Sequence, residues 1–223
     1  MDTLLRQAAG APAPGKTPTA LICDMGNVLI HYDPPHFLDR AGITDPVDRE
    51  LLLGEIFYSP QWPGLDEGSL TEADLEKQVM PRLPERLHGV ARQLLHHWDE
   101  PIEPMAGMAE LLARCKGAGM SLYLLSNASL RQPQYWPRVP GSQLFDGTVV
   151  SAFYRQVKPQ PEIYRTALEK FHLQPEACLF VDDLEQNIRG AAAVGIPGFL
   201  FSGDAAALEA RLRALGVPLP EGA

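Results

Sequence analysis

Short apolar runs that alternate with helical patterns constrain the fold of this chain more than any other feature. Strand-like runs occupy residues 20–24, 121–127, 147–152, 177–183 and 198–201. Runs this short and continuously apolar are typical of strands that are buried on both faces, as in a parallel sheet. The segments between them repeat apolar residues at helical spacing. The alternation therefore predicts an α/β fold with a doubly wound parallel sheet.

Residues 34–100 interrupt this alternation. They show no convincing strand pattern but several helical ones, and one of these begins with a capping box of Thr71 and Asp74. The segment is too long for a single crossover helix, so we predict a small helical domain over the carboxyl edge of the sheet, where α/β folds bind ligands. The predicted division is a mobile N-terminal tail at 1–18, a core at 19–33 and 101–223, and the helical domain at 34–100.

Composition and charge argue against several classes of partner. The chain has 28 acidic and 19 basic residues, a formal net charge of −9, and no cluster of Lys and Arg. Nucleic acid and anionic membranes require clustered positive charge, so neither is expected as a partner. No apolar run approaches the roughly 18 residues of a membrane span, and the N-terminus lacks the pattern of a secretory signal. The three cysteines have no metal-site spacing. We expect a cytoplasmic protein with reduced cysteines.

Polar residues close the predicted strands at their carboxyl ends. They are Asp24, the pair Ser126 and Asn127, and the pair Asp182 and Asp183. Because the carboxyl ends of parallel strands share one edge of the sheet, these side chains are expected to meet around one crevice. Lys158 precedes a predicted helix and could join them there.

This set of side chains is suited to phosphoryl transfer. The carboxylate of Asp24 can attack phosphorus and form an aspartyl-phosphate, which divides one difficult displacement into two easier ones. Both reactants are anionic, so a cation must screen them, and Mg²⁺ prefers a few hard oxygen ligands. The predicted ligands are Asp24, the backbone carbonyl of Gly26 and one carboxylate of the Asp182–Asp183 pair.

Two further residues fit the same chemistry. Ser126 can hydrogen-bond phosphoryl oxygens, and Lys158 can neutralise the charge that grows on them. The acidic net charge does not conflict with this, because a local phosphate site needs only one or two cations and some backbone amides. The predicted partner is a small phosphorylated metabolite.

The chain resembles hydrolases of the haloacid dehalogenase superfamily in four motifs, "LICDMGNVLI", "LYLLSNAS", "VKPQPEIY" and "CLFVDDLEQNIRGAAAVGI". In detail it is similar to a branch with DxGNV in the first motif, which includes a phosphatase of glucose 1-phosphate; the N-terminal phosphatase domains of epoxide hydrolases are further relatives. The resemblance implies a Rossmann-like core and a helical cap inserted after the first motif. The roles that it implies are Asp24 as nucleophile, Ser126 and Asn127 as phosphate ligands, Lys158 as stabilising cation, Asp183 as direct Mg²⁺ ligand, Asp182 as an orienting neighbour held by Lys158, and Asn187 as a supporting residue one helical turn further on.

The first motif departs from the pattern of most phosphatases in the superfamily. They carry a second aspartate two residues after the nucleophile, which protonates the leaving group and then activates water; this chain has Gly26 there. Loss of a general acid–base group typically costs about 10²- to 10⁴-fold in rate. A sugar 1-phosphate needs less acid assistance, because its leaving oxygen is relatively stable. His31 and Asp33, just past the strand, are the candidate substitutes for the missing acid.

Three interpretations remain open at this point. We favour a Mg²⁺-dependent phosphatase that acts on a sugar phosphate. A metal-independent 2-haloacid dehalogenase would need no acid, but it would not need the Asp182–Asp183 pair either, and such a carboxylate cluster is self-repelling without a cation. A phospho-ligand-binding pseudo-enzyme is the third. The segment "SPQWPGLDEGSLTEADL" also resembles a cap segment common in the branch, but it indicates no substrate.

Overall fold

Five parallel strands form one sheet in the computed structural model, which describes residues 16–221. The strands are β1 (Ala20–Cys23), β2 (Ser121–Ser126), β3 (Gly147–Val150), β4 (Cys178–Asp182) and β5 (Gly198–Leu200). Their spatial order is β3-β2-β1-β4-β5, and every neighbouring pair is parallel. This architecture confirms the predicted α/β fold. The third strand is shorter than predicted, because a helix begins at Ser151.

Between β1 and β2 the chain is largely helical. We call residues 34–100 the insert; its α-helices are α1 (Pro34–Arg40), α2 (Pro46–Leu52), α3 (Trp62–Asp66), α4 (Glu72–Val79) and α5 (His88–His97). A π-helical turn, Leu53–Phe57, extends α2. The capping box that starts α4 is present, since Thr71 Oγ1 accepts the Asp74 N–H at 3.2 Å. All five helices contribute to a hydrophobic cluster of the insert's own. The domain boundaries at 34 and 100 stay a prediction.

Six further α-helices flank the sheet: α6 (Met108–Gly117), α7 (Gln132–Tyr135), α8 (Ser151–Tyr154), α9 (Pro161–Phe171), α10 (Glu185–Ala193) and α11 (Ala205–Ala214). Short 3₁₀ turns lie at Met80–Arg82, Glu85–Leu87, Trp136–Arg138, Ser142–Leu144 and Pro175–Ala177. Alternate residues of β1 point to opposite faces of the sheet. Leu21 and Cys23 pack with α6 and α11, whereas Ala20 and Ile22 pack with α9 and α10. Helices therefore cover both faces, which explains the continuously apolar strands.

The strand order places a crevice at the carboxyl ends of β1 and β4. From β1 the chain proceeds to β2 and β3 on one side of the sheet, and β4 and β5 lie on the other side. Ligands bind at such a reversal in α/β sheets. The ladder extends one residue past β1, because the Asp24 N–H donates to the Val181 carbonyl at 2.9 Å. This bond fixes the direction in which the chain leaves the strand.

A buried carboxylate joins the end of the insert to the core. Asp99 Oδ1 accepts from Arg131 Nη2 at 2.5 Å, and its Oδ2 accepts from Arg138 Nη2. The Asp99 side chain has no exposed surface. Nearby, Arg40 Nη2 of α1 donates to the Trp98 carbonyl at 2.7 Å. Charged groups from both the insert and the core thus hold this junction.

The predicted tail at residues 1–18 lies largely outside the described residues. The three cysteines, Cys23, Cys115 and Cys178, are buried free thiols. Across residues 16–221, none of the helices has both the length and the hydropathy that crossing a bilayer requires.

Candidate active site

One buried lysine bridges two carboxylates at the carboxyl edge of the sheet. Lys158 Nζ lies 2.7 Å from Asp24 Oδ1 and 2.7 Å from Asp182 Oδ2. Asp24 follows β1 and Asp182 ends β4, so adjacent strands bring these two acids together. Burial alone would lower the pKa of Lys158, but the charges of Asp24 and Asp182 outweigh it and raise that pKa. The lysine is therefore a lasting cation between the two acids.

A third carboxylate completes an acidic cluster. Asp24, Asp182 and Asp183 each offer an oxygen, and these oxygens lie within 4.8 Å of one another. Asp183 Oδ2 accepts a hydrogen bond from Asn27 Nδ2 at 3.1 Å. Burial raises the pKa of Asp24 to about 6, although Lys158 opposes this, and burial also raises the pKa of Asp183. Three carboxylates beside one ammonium leave negative charge uncompensated, and hard oxygen donors of this kind fit Mg²⁺.

The hydrogen bonds of Asp182 distinguish it from its neighbour Asp183. Its Oδ1 accepts from the Leu184 N–H at 2.9 Å, and Asn187 Nδ2 donates to both of its oxygens, at 2.9 and 3.1 Å. Together with Lys158, these donors occupy Asp182 from three directions. The backbone carbonyl of Asn187 accepts a hydrogen bond from the Tyr164 hydroxyl at 2.8 Å, which holds this residue in place. The geometry suits Asp182 and Asn187 to orienting the site and leaves Asp183 with fewer partners.

The loop after β2 faces the same crevice but uses its side chains differently from our expectation. Ser126 is buried at the end of β2 and lines the cavity described below. The Asn127 carboxamide, which was predicted to bind phosphate, is instead bound to the backbone of Lys158, with Oδ1 accepting from N–H and Nδ2 donating to the carbonyl. Both polar atoms of that side chain are thereby used. These bonds position the lysine, while Asn127 also lines the cavity, and its role as a phosphate ligand stays a prediction.

The structure does not bring the two predicted substitute acids to the site. His31 and Asp33 are exposed, and neither lines the cavity that contains Asp24. The reason is local: Asn27 Oδ1 accepts the Tyr32 N–H at 3.0 Å, and Tyr32 lines the cavity. In extended chain, the residues on either side then point away from it. The prediction that His31 or Asp33 replaces the missing acid is therefore wrong for this structure.

Gly26 lines the cavity beside the nucleophile candidate. A Cβ at Gly26 would lie 3.5 Å from Tyr32 Cβ, an ordinary van der Waals distance. Tyr32 thus occupies the neighbourhood into which a side chain at position 26 would project. The role of the Gly26 carbonyl as a metal ligand stays a prediction.

A cavity of about 360 Å³ lies between the sheet edge and the insert. The sheet side contributes the residues described above. The insert side is mostly apolar, with two acids; its lining residues are Trp62, Leu65, Asp66, Glu72, Leu95 and Trp98. Glu72 accepts a hydrogen bond from Ser129 Oγ, and its Oε1 lies 3.9 Å from Arg131 Nε. The acidic side chains and Lys158 at the sheet edge therefore share one cavity with the mostly apolar wall of the insert.

Comparison with known proteins identifies the family. A model of the haloacid dehalogenase-like hydrolases matches residues 19–195. The chain belongs to this family. The match spans the sheet from β1 through β4 and includes Asp24, Lys158 and Asp183, and it confirms the resemblance found in the sequence motifs.

Relatives of this hydrolase include phosphatases. The sesquiterpene phosphatase astK of Aspergillus oryzae is 30% identical over 80% of this chain and 87% of its own length. The phosphorylated carbohydrates phosphatase of Thermotoga maritima is 25% identical over 79% of this chain and 82% of its own. Among solved structures, the haloacid dehalogenase family enzyme bt-2542 of Bacteroides thetaiotaomicron superposes with a TM-score of 0.65 at 20% identity, covering 87% of this chain and 99% of that one. Dehalogenases share the fold at similar identity.

Three residues of this hydrolase site were not predicted. Asn27 binds both Asp183 and the Tyr32 backbone, and its positive φ of 54° belongs to the left-handed region that asparagine tolerates better than most residues. Asp66 and Glu72 come from the insert. Asn27 stands inside the first motif, so the motif itself was the available signal. Nothing in the sequence pattern indicated which insert residues face the sheet.

Proposed function

We propose that this hydrolase is a Mg²⁺-dependent phosphatase that acts through an aspartyl-phosphate on Asp24. One observation carries the proposal: Lys158 Nζ lies 2.7 Å from Asp24, and the acidic cluster of Asp24, Asp182 and Asp183 adjoins it. A carboxylate nucleophile, a fixed cation and donors for a divalent ion are what phosphoryl transfer to an aspartate needs. Their presence in one cavity supports this function.

Each residue has a definite part in that reaction. Asp24 attacks phosphorus, Lys158 balances the charge on the phosphoryl oxygens, and the Ser126 hydroxyl donates to one of them. Asp182 keeps Lys158 aimed at the phosphate. Asp24, Asp183 and the Gly26 carbonyl would hold Mg²⁺, whose charge lets the carboxylate approach a phosphate dianion.

The acidic cluster argues against the two other interpretations. A metal-independent dehalogenase attacks carbon in a neutral part of its substrate and gains nothing from the second and third carboxylates. Here they lie within 4.8 Å of the nucleophile, where their charge would oppose ionisation of Asp24 unless a cation were present. A pseudo-enzyme that only binds phosphate esters would not need the carboxylate of Asp24 in contact with the lysine.

Our proposed substrate is a small phosphorylated metabolite, and we favour a sugar phosphate. Indole rings and a carboxylate in one cavity wall, such as Trp62, Trp98 and Asp66, suit the faces and hydroxyl groups of a sugar. The carbohydrate phosphatase among the relatives also supports this choice. The apolar side chains of Leu65 and Leu95 favour a second candidate, the phosphate ester of an apolar alcohol, as in the sesquiterpene phosphatase.

A panel assay tests the proposal. Phosphate release is measured from sugar phosphates, a terpenyl phosphate and an aryl phosphate, each with Mg²⁺ or with chelator, and halide release is measured from 2-haloacids. We expect turnover that chelator abolishes and that Asp24→Asn lowers by about 10⁴-fold or more, while the exposed Asp33→Asn control stays near wild type. Halide release that survives chelator, or tight binding of esters without turnover, would overturn the proposal.

A further inference from the structure

Phosphate ester hydrolysis at this site lacks a proton donor at the expected place. The leaving oxygen needs a proton, and Gly26 has no side chain to give one. His31 and Asp33 are exposed and outside the cavity. A donor for the reaction must therefore come from the cavity wall.

Four carboxyl groups line the cavity, and three of them have other partners. Asp24 is the nucleophile, Asp183 belongs to the acidic cluster, and Glu72 is bound to Ser129 with Arg131 nearby. The fourth is Asp66, the last residue of α3. Within residues 16–221, its carboxyl group has no hydrogen-bond or ion-pair partner, so it is available to a substrate.

We propose that Asp66, an insert residue, is the general acid and base of the reaction, in place of the aspartate that position 26 lacks. In the first step a carboxylate oxygen of Asp24 bonds to phosphorus, the bond from phosphorus to the ester oxygen breaks, and the Asp66 proton moves to that oxygen. In the second step Asp66 takes a proton from water, the water oxygen bonds to phosphorus, and the bond to Asp24 breaks. An alcohol and inorganic phosphate leave, and both carboxyl groups return to their first state. The inference rests on the proposed function.

The core fixes the backbone of this insert residue. The Ser151 hydroxyl of α8 donates to the Asp66 carbonyl at 2.6 Å. The same hydroxyl accepts a hydrogen bond from the N–H of Ala128 at 2.9 Å. Ala128 lies two residues after Ser126. One serine therefore ties the acid to the loop that faces the phosphate.

A close backbone approach reinforces this attachment. Gly68 has a φ of 68°, and a Cβ there would lie 2.2 Å from the Ala152 carbonyl oxygen. Only glycine allows the turn after Asp66 to pack this tightly on α8. The position of Asp66 over the sheet edge is thus set by contacts with the core on both sides of a short turn.

The surroundings of Asp66 suit proton transfer near neutral pH. Burial raises its pKa to about 7, and the charge of Asp24 adds to this, whereas Lys158 opposes it. A general acid works best when its pKa lies near the working pH. The titratable groups that face it are Asp24 and Lys158 from the core, Glu67 and Glu72 from the insert, and the phenols of Tyr32 and Tyr135.

Leaving groups of different basicity test the assignment. With an alkyl phosphate such as glycerol phosphate, Asp66→Asn should lower kcat/KM by about 10²- to 10³-fold, because the alkoxide leaves poorly without a proton. With p-nitrophenyl phosphate, the first step should change less than about fivefold, since general acid assistance matters little for a good leaving group. A burst of nitrophenol should then appear, because Asp66→Asn also slows hydrolysis of the aspartyl-phosphate. Asp66→Glu should recover part of the alkyl phosphate activity.

The pH profile and a second-site variant give independent readouts. Wild-type kcat/KM for the alkyl phosphate should fall as the pH rises through about 7, where Asp66 loses its proton, and Asp66→Asn should lack this decline. Gly26→Asp, placed in the Asp66→Asn background, should restore alkyl phosphate turnover, because a Cβ there meets Tyr32 only at 3.5 Å.

The outcomes separate this inference from the proposed function. Glu72→Gln is the matched control, a neighbouring cavity carboxylate that should slow both substrates equally. If Asp66→Asn also slows both equally and keeps the decline above neutral pH, Asp66 is not the acid, even though Asp24→Asn is inactive. If Asp24→Asn retains wild-type turnover, the proposed function fails first.

Discussion

Asn127 binds the backbone of Lys158 at both of its polar groups. Its Oδ1 accepts the Lys158 N–H at 2.8 Å, and its Nδ2 donates to the Lys158 carbonyl at 3.0 Å. The two residues belong to different motifs, and the pair of bonds fixes the lysine relative to the end of β2. The two bonds therefore position the backbone of the residue whose ammonium group contacts Asp24 and Asp182.

Removal of this carboxamide should impair catalysis without removing any reacting group. We expect Asn127→Ala to lower kcat by about 10- to 100-fold, as misplacement of a catalytic group does. The loss of two partly buried hydrogen bonds should lower the free energy of unfolding by about 1–3 kcal/mol. Steady-state kinetics and urea denaturation measure the two effects. Gln160→Ala, which removes a long bond of 3.4 Å to the Val157 N–H in the same loop, is the control. An Asn127→Ala enzyme with unchanged kcat would contradict this role.

Ser151→Ala should disturb the attachment of the insert. The change deletes the bond to the Asp66 carbonyl and leaves the Ala128 N–H without its acceptor, which should cost about 1–3 kcal/mol of stability. Turnover of alkyl phosphates should fall more than that of aryl phosphates, because Asp66 is less well placed. Ser59→Ala, which removes a buried bond to the Ile56 carbonyl within the insert, should lower stability without this selectivity. Equal effects of both variants on the two substrates would argue against the attachment.

Two glycines with similar backbone angles should respond differently to alanine. Gly42 has a φ of 72° and nothing within 4 Å of a Cβ, so Gly42→Ala should cost only about 1–2 kcal/mol for the left-handed conformation. Gly68→Ala adds the clash with the Ala152 carbonyl, and overpacking costs a further 1–3 kcal/mol or so. Thermal unfolding gives the difference. Phosphatase activity should fall only in Gly68→Ala; if the two variants behave alike, the close approach is not required.

The buried acid at the junction should matter more for stability than its exposed neighbour. Asp99→Ala leaves Arg131 and Arg138 without their shared partner in a buried place, and such a loss typically costs about 3–5 kcal/mol. Glu100 also pairs with Arg138, at 3.1 Å, but it is half exposed. Glu100→Gln should therefore change the free energy of unfolding by about 1 kcal/mol or less. Chemical denaturation compares the two, and similar losses would contradict the assignment of Asp99.

Sequence reasoning reached the part of the site that the sheet itself builds. Residues that close buried strands, such as Asp24 and Asp182, meet because parallel strands end at one edge of the sheet. Short, continuously apolar runs between helical patterns are enough to locate those ends. The pairing of Lys158 with Asp182 also followed from the motif resemblance. What Asn127 does with its carboxamide did not follow, because an amide can equally bind a ligand or a backbone.

The sequence did not predict which residues of the insert line the site, and the reason is physical. Which of its residues faces the sheet depends on how the helices rest on it, and that is decided by contacts such as Ser151 with Asp66 that are distant in sequence. His31 and Asp33 were predicted to replace the missing acid because they are close to Asp24 along the chain. The bond from Asn27 to the Tyr32 backbone turns that segment so that the tyrosine, and not its neighbours, faces inward.

The Ser151 hydroxyl is not a reacting group, yet it connects the insert, through Asp66, to the loop after β2. A compound that disrupted the contact between α8 and the turn at Gly68 would displace Asp66 from the sheet edge. Such a compound need not resemble a phosphate. Inhibitors of that kind would avoid the polar, highly charged chemistry that makes phosphate mimics difficult to deliver.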